Sequence, residues 1–169
     1  PGVGKTLIAL ALSQLLHLSF KRIQFTNDML PSDVTGFHTF RSGSDVLELI
    51  RGPVFASIVL ADEINRTSPK TQSALLEAME ENQVTIDGIT YELPKPFMVI
   101  ATQNPIEITG TFPLPESQLD RFLMKIKVGY PPIDEEKEIL SKDIDHADAL
   151  RLSPIIAKDS IIELMKGVS

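Results

Sequence analysis

Cysteine is absent from this 169-residue chain, which removes disulfides, thiolate metal sites and a cysteine nucleophile from consideration. That fits a reducing cytoplasm, although many exported proteins also lack the residue. Long hydrophobic runs are missing too. The longest strongly apolar stretch, Leu7 to Leu18, is interrupted by Ser13, Gln14 and His17 and is too short to span a bilayer. No basic segment with a cleavage site precedes it, so it does not read as a signal peptide. Cations are in the minority, with 16 Lys and Arg against 23 Asp and Glu and a net charge of −7. Coating nucleic acid requires clustered cations, so the balance argues against that task while leaving room for a local basic patch. There is no internal repeat and no low-complexity tract. An initiator methionine is also lacking, and Pro1 opens directly into what reads as a functional loop, so the chain is expected to be cut from something longer.

The apolar share of 43% is that of a globular protein. The length suits one domain, or one domain and part of a second. Lys5 to Leu18 reads as a helix that is apolar nearly all round, as for a helix buried against a sheet. Arg22–Thr26 is a short strand candidate, and the apolar runs Val54–Ala61, Phe97–Thr102 and Phe122–Val128 are strands suited to burial on both faces. A helix is expected over Ser68–Glu81, with Ser68 as N-cap, Pro69 at its first position, and Ala74, Leu75, Ala78 and Met79 on the apolar face. Val84–Leu93 alternates about Asp87-Gly88, the signature of a tight hairpin with Val84, Ile86, Ile89 and Tyr91 on one face. Phe37–Ile50, turning near Ser42-Gly43-Ser44, is a second hairpin candidate. Pro131-Pro132 marks a domain boundary, dividing a core at 1–130 from the start of a second domain at 131–169. Beyond it Asp134 caps a charged helix, and Ala157–Lys166 forms another. Buried strands alternating with helices predict an α/β fold with a mostly parallel sheet, whose ligands sit at the carboxyl ends of the strands.

The motifs lie at those ends. Pro1-Gly-Val-Gly-Lys-Thr6 carries the closing residues of the phosphate-loop pattern GxxxxGK[ST]. Glycines there let backbone N–H groups turn inward around phosphates, lysine reaches the β- and γ-phosphates, and the hydroxyl meets Mg²⁺. The loop must run into a helix N-terminus, and Thr6 does so. Gly2, Val3, Gly4, Lys5 and Thr6 are therefore the candidate nucleotide-binding residues. Ile58-Val-Leu-Ala-Asp62-Glu63 is a hydrophobic strand ending in two carboxylates. Asp62 is expected to hold Mg²⁺, directly or through water, and Glu63 to polarise the water that attacks the γ-phosphate. Asn104 follows the Phe97–Thr102 strand, where an amide could hydrogen-bond that water or the phosphate, or could simply form a turn before Pro105. Arg121 either pairs with Asp120 or faces a neighbouring subunit and stabilises charge on its γ-phosphate. His17, His38 and His146 show no metal-ligand spacing. Asp134–Glu138 reads as a helix first turn, and no serine sits in a nucleophile elbow.

Taken in order, PGVGKT, IVLADEINRTSPKTQSALLEAMEENQVTIDG, FMVIATQNP and FPLPESQLDRFLMKIKVGYP resemble the MoxR branch of the AAA+ ATPases over nearly the whole chain. The resemblance implies an AAA+ P-loop fold with the start of an α-helical lid. It assigns Gly2, Gly4, Lys5 and Thr6 to the nucleotide loop, and Asp62 and Glu63 to the Mg²⁺-associated and catalytic acids. Asn104 becomes the first sensor and Arg121 the finger that acts across a ring interface; Arg66 is a further residue facing a neighbour. The Phe37–Ile50 hairpin corresponds to an insert in the family's second helix, and Val84–Leu93 to the hairpin before the first sensor. Such proteins use ATP and Mg²⁺ and form rings, usually hexameric. They remodel partner protein complexes, often with a von Willebrand A-domain protein, in the cytoplasm, with no transmembrane segment and no nucleic-acid partner expected.

The resemblance also implies a strand before Pro1, lying mid-sheet between Phe97–Thr102 and Phe122–Val128. Its absence should leave both neighbours with unpaired backbone groups and make residues 1–169 unstable when expressed alone. A second sensor arginine is expected beyond Ser169. A magnesium chelatase subunit or a replicative helicase belongs to the same clade, but a helicase should carry a basic hairpin, and Asp87 tips this one. A transcription activator should carry a GAFTGA loop, and none is present. A switch that binds nucleotide without turnover need not keep Glu63 and Arg121.

Overall fold

The computed structural model describes residues 5–41, 43, 45–103, 110–127, 129, 152–156 and 158–166. Two compact units emerge, one formed by residues 1–18 with 123–169 and the other by 19–122. The proposed boundary at Pro131-Pro132 and the helix capped by Asp134 lie outside the described residues.

In the first unit, helix α1 runs over Lys5–Leu15 and stops short of the expected Leu18. The reason is local. His17 turns left-handed at φ 51°, and the Leu18 N–H reaches back to the Ser13 carbonyl at 2.9 Å, closing the helix end before Leu18 can extend it. Only Ala9 and Ser13 of this helix are buried and Ile8 is exposed, so its apolar circumference is only partly covered. The backbone N–H of Ile155 bonds the Leu15 carbonyl at 2.9 Å. The unit's last helix, Lys158–Lys166, fits the expected span. The expected strand at Phe122–Val128 is not formed over its described residues. A strand needs a neighbour for its N–H and C=O groups, and Leu123, Met124 and Ile126 are largely exposed instead.

The second unit holds a parallel three-stranded sheet in the order β1 (Phe20–Gln24), β4 (Ile58–Asp62), β7 (Met98–Ala101). Ile58 to Ala61 are fully buried along the central strand, as a parallel strand covered on both faces requires. β4 begins later than the expected Val54. The N–H groups of Val54 and Phe55 bond sideways to the Val34 and Gly52 carbonyls, at 3.2 Å each, instead of to a strand. β7 pairs with β4 and, among the described residues, with no other strand.

Helix α3, Pro69–Glu81, starts where expected: Pro69 is first and Ser68 Oγ accepts the Thr71 N–H at 3.4 Å. Its buried face is Thr71, Gln72, Leu75, Leu76 and Ala78, rotated slightly from the expected set, with Ala74 and Met79 half-buried. Leu75, Leu76 and Ala78 pack in one core with Val59 and Ala61 of β4, Ile23 and Phe25.

Both hairpins form. β5 (Gln83–Ile86) and β6 (Ile89–Glu92) pair Val84 with Tyr91 and Ile86 with Ile89, which puts the four on one face. Asp87 and Gly88 turn with φ of 50° and 81°. β2 (Gly36–Phe40) and β3 (Leu47–Arg51) pair Phe37 with Ile50 and Phe40 with Leu47. His38 joins the two hairpins, with Nδ1 2.9 Å from Asp87 Oδ2 and Nε2 2.8 Å from Tyr91 Oη. The imidazole thus satisfies a structural need, consistent with its lack of metal-ligand spacing.

A short helix, α2 (Pro31–Thr35), leads into β2 through Gly36 at φ 93°. A Cβ there would meet the backbone of Ile50, Arg51 and Gly52, whereas one on Gly88, at a similar φ, would enter open space. Gly36→Ala should therefore destabilise the protein by roughly 2–4 kcal/mol, from backbone strain plus overlap, and Gly88→Ala by about 1 kcal/mol, from strain alone. Thermal or denaturant unfolding of the full-length variants tests this; equal losses would contradict it.

Candidate active site

The site grows from the end of β4. Asp62 closes the buried strand, and Glu63 after it adopts φ 56°, ψ 47°. The left-handed region is unfavourable for a residue with a Cβ, by about 1–2 kcal/mol, so the surroundings must hold it. Thr102, just past β7, does so. Its backbone N–H bonds the Ala61 carbonyl at 2.9 Å and its carbonyl accepts the Ile64 N–H at 3.1 Å. Its Oγ1 accepts the Glu63 N–H at 2.9 Å and donates to Asp62 Oδ1 at 2.5 Å. One buried hydroxyl therefore orders the backbone of one acid and the side chain of the other.

The residues that follow are clamped as well. Ile64–Arg66 makes a 3-10 turn, and Gln72 from α3, almost fully buried, turns its amide into it. Gln72 Nε2 lies 3.1 Å from the Ile64 carbonyl, 3.2 Å from that of Thr67 and 2.9 Å from that of Phe112. The Phe112 N–H bonds the Asn65 carbonyl at 2.7 Å. This explains the burial of a polar residue on a helix face: its amide satisfies carbonyls that the turn leaves unpaired.

The two acids then meet different partners. Asp62 Oδ2 accepts from Arg22 Nη2 at 2.6 Å and Nε at 3.2 Å. Glu63 Oε2 accepts from Gln24 Nε2 at 3.0 Å and Arg66 Nη1 at 3.1 Å. Arg22 and Gln24 both stand on β1, two residues apart, and Arg22 Nη2 also donates to Gln24 Oε1 at 2.5 Å. The sequence alone does not mark Arg22, Gln24 and Thr102 as site residues. Their signal was thin: two polar residues at period two near the end of a short strand, beside the strand carrying the acids.

Arg121 follows the short helix α4 (Glu116–Leu119) and pairs with Glu80 Oε2 of α3 at 3.1 Å, with both side chains partly exposed. Among the described residues its ion-pair partner is Glu80 and not the adjacent Asp120. Lys5 and Thr6 form the first turn of α1, as the phosphate loop requires. Gly2, Val3, Gly4 and Asn104 lie outside the described residues. In the loop after β1, Thr26 Oγ1 donates to Asp28 at 2.6 Å and, with a backbone N–H, holds that exposed carboxyl below its usual range.

The donor chemistry at β4 fits Mg²⁺. Asp62, Glu63 and the hydroxyl of Thr102 offer hard oxygens, whereas no cluster of three or more His, Asp or Glu among the described residues forms a protein-only cage. Mg²⁺ characteristically takes one or two carboxylates, keeps waters and completes its shell with phosphate oxygens.

Comparison with known proteins gives the family. The family model described as "ATPase family associated with various cellular activities (AAA)" matches residues 1–124. The uncharacterized protein YeaC of Bacillus subtilis (strain 168) is 55% identical over 99% of this chain and 52% of its own length. Chaperone MoxR1 of Mycobacterium tuberculosis is 46% identical over 95% of this chain and 45% of its own. A crystal structure of a candidate ATPase from Cytophaga hutchinsonii superposes with a TM-score of 0.82 at 44% identity, covering 96% of this chain and 49% of that one. The chain belongs to the AAA ATPases, and within them to the MoxR-type AAA+ family. It spans about half the length of these curated relatives. No helix among the described residues is long and apolar enough to cross a membrane.

Thr102→Val keeps the shape of the side chain and removes its hydroxyl. That takes one partner each from the Glu63 N–H and Asp62 Oδ1, and should cost about 1–3 kcal/mol of stability. Thr102→Ser should retain most of it. Thermal unfolding without nucleotide is the measurement, and a Val variant as stable as the Ser variant would contradict the assignment.

Proposed function

We propose that the full-length protein binds ATP with Mg²⁺ and hydrolyses it, and that turnover drives remodelling or activation of partner protein complexes. The observation that carries the reading is the β4 terminus, where two adjacent carboxylates are ordered by one hydroxyl yet held by different partners. Asp62, nearer the strand and less exposed, serves the metal. Glu63, displaced by its left-handed backbone, orients and deprotonates the attacking water. Lys5 and Thr6, with Gly2, Val3 and Gly4, bind the phosphates. Bound Mg²⁺ supplies charge neutralisation on the phosphate oxygens. Asn104 contacts the γ-phosphate or the water. Arg121, exposed and paired with a surface glutamate, acts on the nucleotide of a neighbouring subunit.

The assembly is a ring, most simply a hexamer, working in the cytoplasm on protein clients with a von Willebrand A-domain partner. The printed name of one relative, Chaperone MoxR1, supports the chaperone reading. The charge of −7 and the Asp87 hairpin tip speak against a nucleic-acid partner. The division into core and lid at residues 130 and 131 is part of the same proposal.

The test is Mg²⁺-dependent phosphate release by the full-length protein. Glu63→Gln should bind ATP and lose turnover by about 10²-fold or more, the scale of a lost general base. Hydrolysis by the variant at the wild-type rate would remove Glu63 from the mechanism. A wild type that binds but never hydrolyses, even at concentrations where rings form, would favour a nucleotide-binding switch.

A further inference from the structure

Resting on the nucleotide-binding reading above, we propose that Arg22 is a positioning residue: a displaceable counter-ion that holds Asp62 in the metal-free protein and gives way when the site is loaded with Mg²⁺. Both oxygens of the Asp62 carboxylate are engaged, Oδ1 by the Thr102 hydroxyl at 2.5 Å and Oδ2 by the Arg22 guanidinium at 2.6 Å. The arrangement is built by strand register. Arg22 stands opposite Leu60 and Gln24 opposite Asp62 on the neighbouring parallel strand, so two side chains on one face of β1 reach the end of β4 together.

Asp62 Oδ2 has lone pairs for more than one partner, but a divalent cation served by it, directly or through a coordinated water, would stand beside the guanidinium already held there. The two cations would sit within a few ångströms of each other with little screening between them. The Thr102 bond involves the other oxygen, so it can persist while Arg22 leaves. Arg22 is also half-exposed, at 46%, while Asp62 is 17% exposed, so the arginine has solvent to retreat into and the carboxylate stays in place.

The consequence reaches Glu63. The guanidinium that holds Asp62 also donates to Gln24 Oε1 at 2.5 Å, and the same amide donates from Nε2 to Glu63 Oε2 at 3.0 Å. Release of Arg22 from Asp62 therefore loosens the amide that engages Glu63. Arg66 holds the same Glu63 oxygen at 3.1 Å, so Glu63 keeps a partner when Arg22 leaves, and the action of Arg22 is on Asp62. Arg22 also has an electrostatic role in the absence of metal, since its positive charge offsets Asp62 next to an anionic ligand.

The experiment compares ADP binding to the full-length protein by calorimetry in Mg²⁺ and in EDTA, for wild type, Arg22→Gln and Arg22→Lys. Without the arginine, the bare carboxylate opposes metal-free ADP while Mg²⁺ meets less competition. The ratio of affinity in Mg²⁺ to affinity in EDTA should therefore rise by about tenfold or more in Arg22→Gln, within the usual effect of a nearby charge. Arg22→Lys, which keeps the charge, should stay within about threefold of wild type. A purely structural role would weaken both affinities alike. An unchanged ratio in a Gln variant that melts like wild type, or in the Lys and Gln variants together, overturns the proposal and leaves the ATPase reading standing. A wild type that binds no ADP in either condition overturns that reading and this inference with it.

Discussion

Everything at this site depends on one backbone turn. The chain leaves the fully buried strand β4 at Asp62 and steps into a left-handed conformation at Glu63. That excursion is unfavourable by itself, and it is maintained because Thr102 bonds the chain on both sides of it, at Ala61 and Ile64, and at Glu63 itself. Adjacent residues of a continuing strand would send their carboxylates to opposite faces of the sheet. The turn instead leaves both acids at the strand end, with Asp62 bound by Thr102 and Arg22 and Glu63 by Gln24 and Arg66. The different partners of two neighbouring carboxylates thus follow from the backbone before they follow from the side chains.

The rest of the second unit supports that turn. β4 is apolar and covered, and it pairs in parallel with β1 on one side and β7 on the other. Helix α3 supplies Leu75, Leu76 and Ala78 to the core beneath it, and Gln72 to the turn above. A buried amide satisfying several carbonyls is costly to misplace, so it specifies geometry in a way an apolar residue would not. The 3-10 turn leads through Thr67 to the N-cap Ser68, and α3 returns Gln72 to the turn within its first residues.

Much of this was legible in the sequence, and for identifiable reasons. The β4 run ending in Asp62 and Glu63, Ser68-Pro69 and the Asp87-Gly88 hairpin each combine a local backbone demand with a residue type that meets it. What was not legible depended on partners distant in the chain. Nothing in Phe20–Gln24 taken alone says that Arg22 and Gln24 reach acids some forty residues on, and Thr102 looked like the end of an apolar run. The run at Phe122–Val128 has the composition of a strand, but composition does not supply the neighbour a strand needs. Helix α1 likewise reads as apolar to Leu18, yet its last turn is decided by the left-handed His17. Gly2, Val3, Gly4 and Asn104 lie outside the described residues, and their roles rest on the sequence pattern.

The most direct test of the central claim, that the turn at Glu63 gives the two acids separate duties, is the Mg²⁺ dependence of ADP affinity in full-length Asp62→Asn set beside that in Glu63→Gln. The account predicts that Asp62→Asn flattens the dependence, because the metal acid is lost, while Glu63→Gln leaves it at the wild-type level. If both substitutions flatten it equally, or if only Glu63→Gln does, the carboxylates share or exchange their roles and the account is wrong.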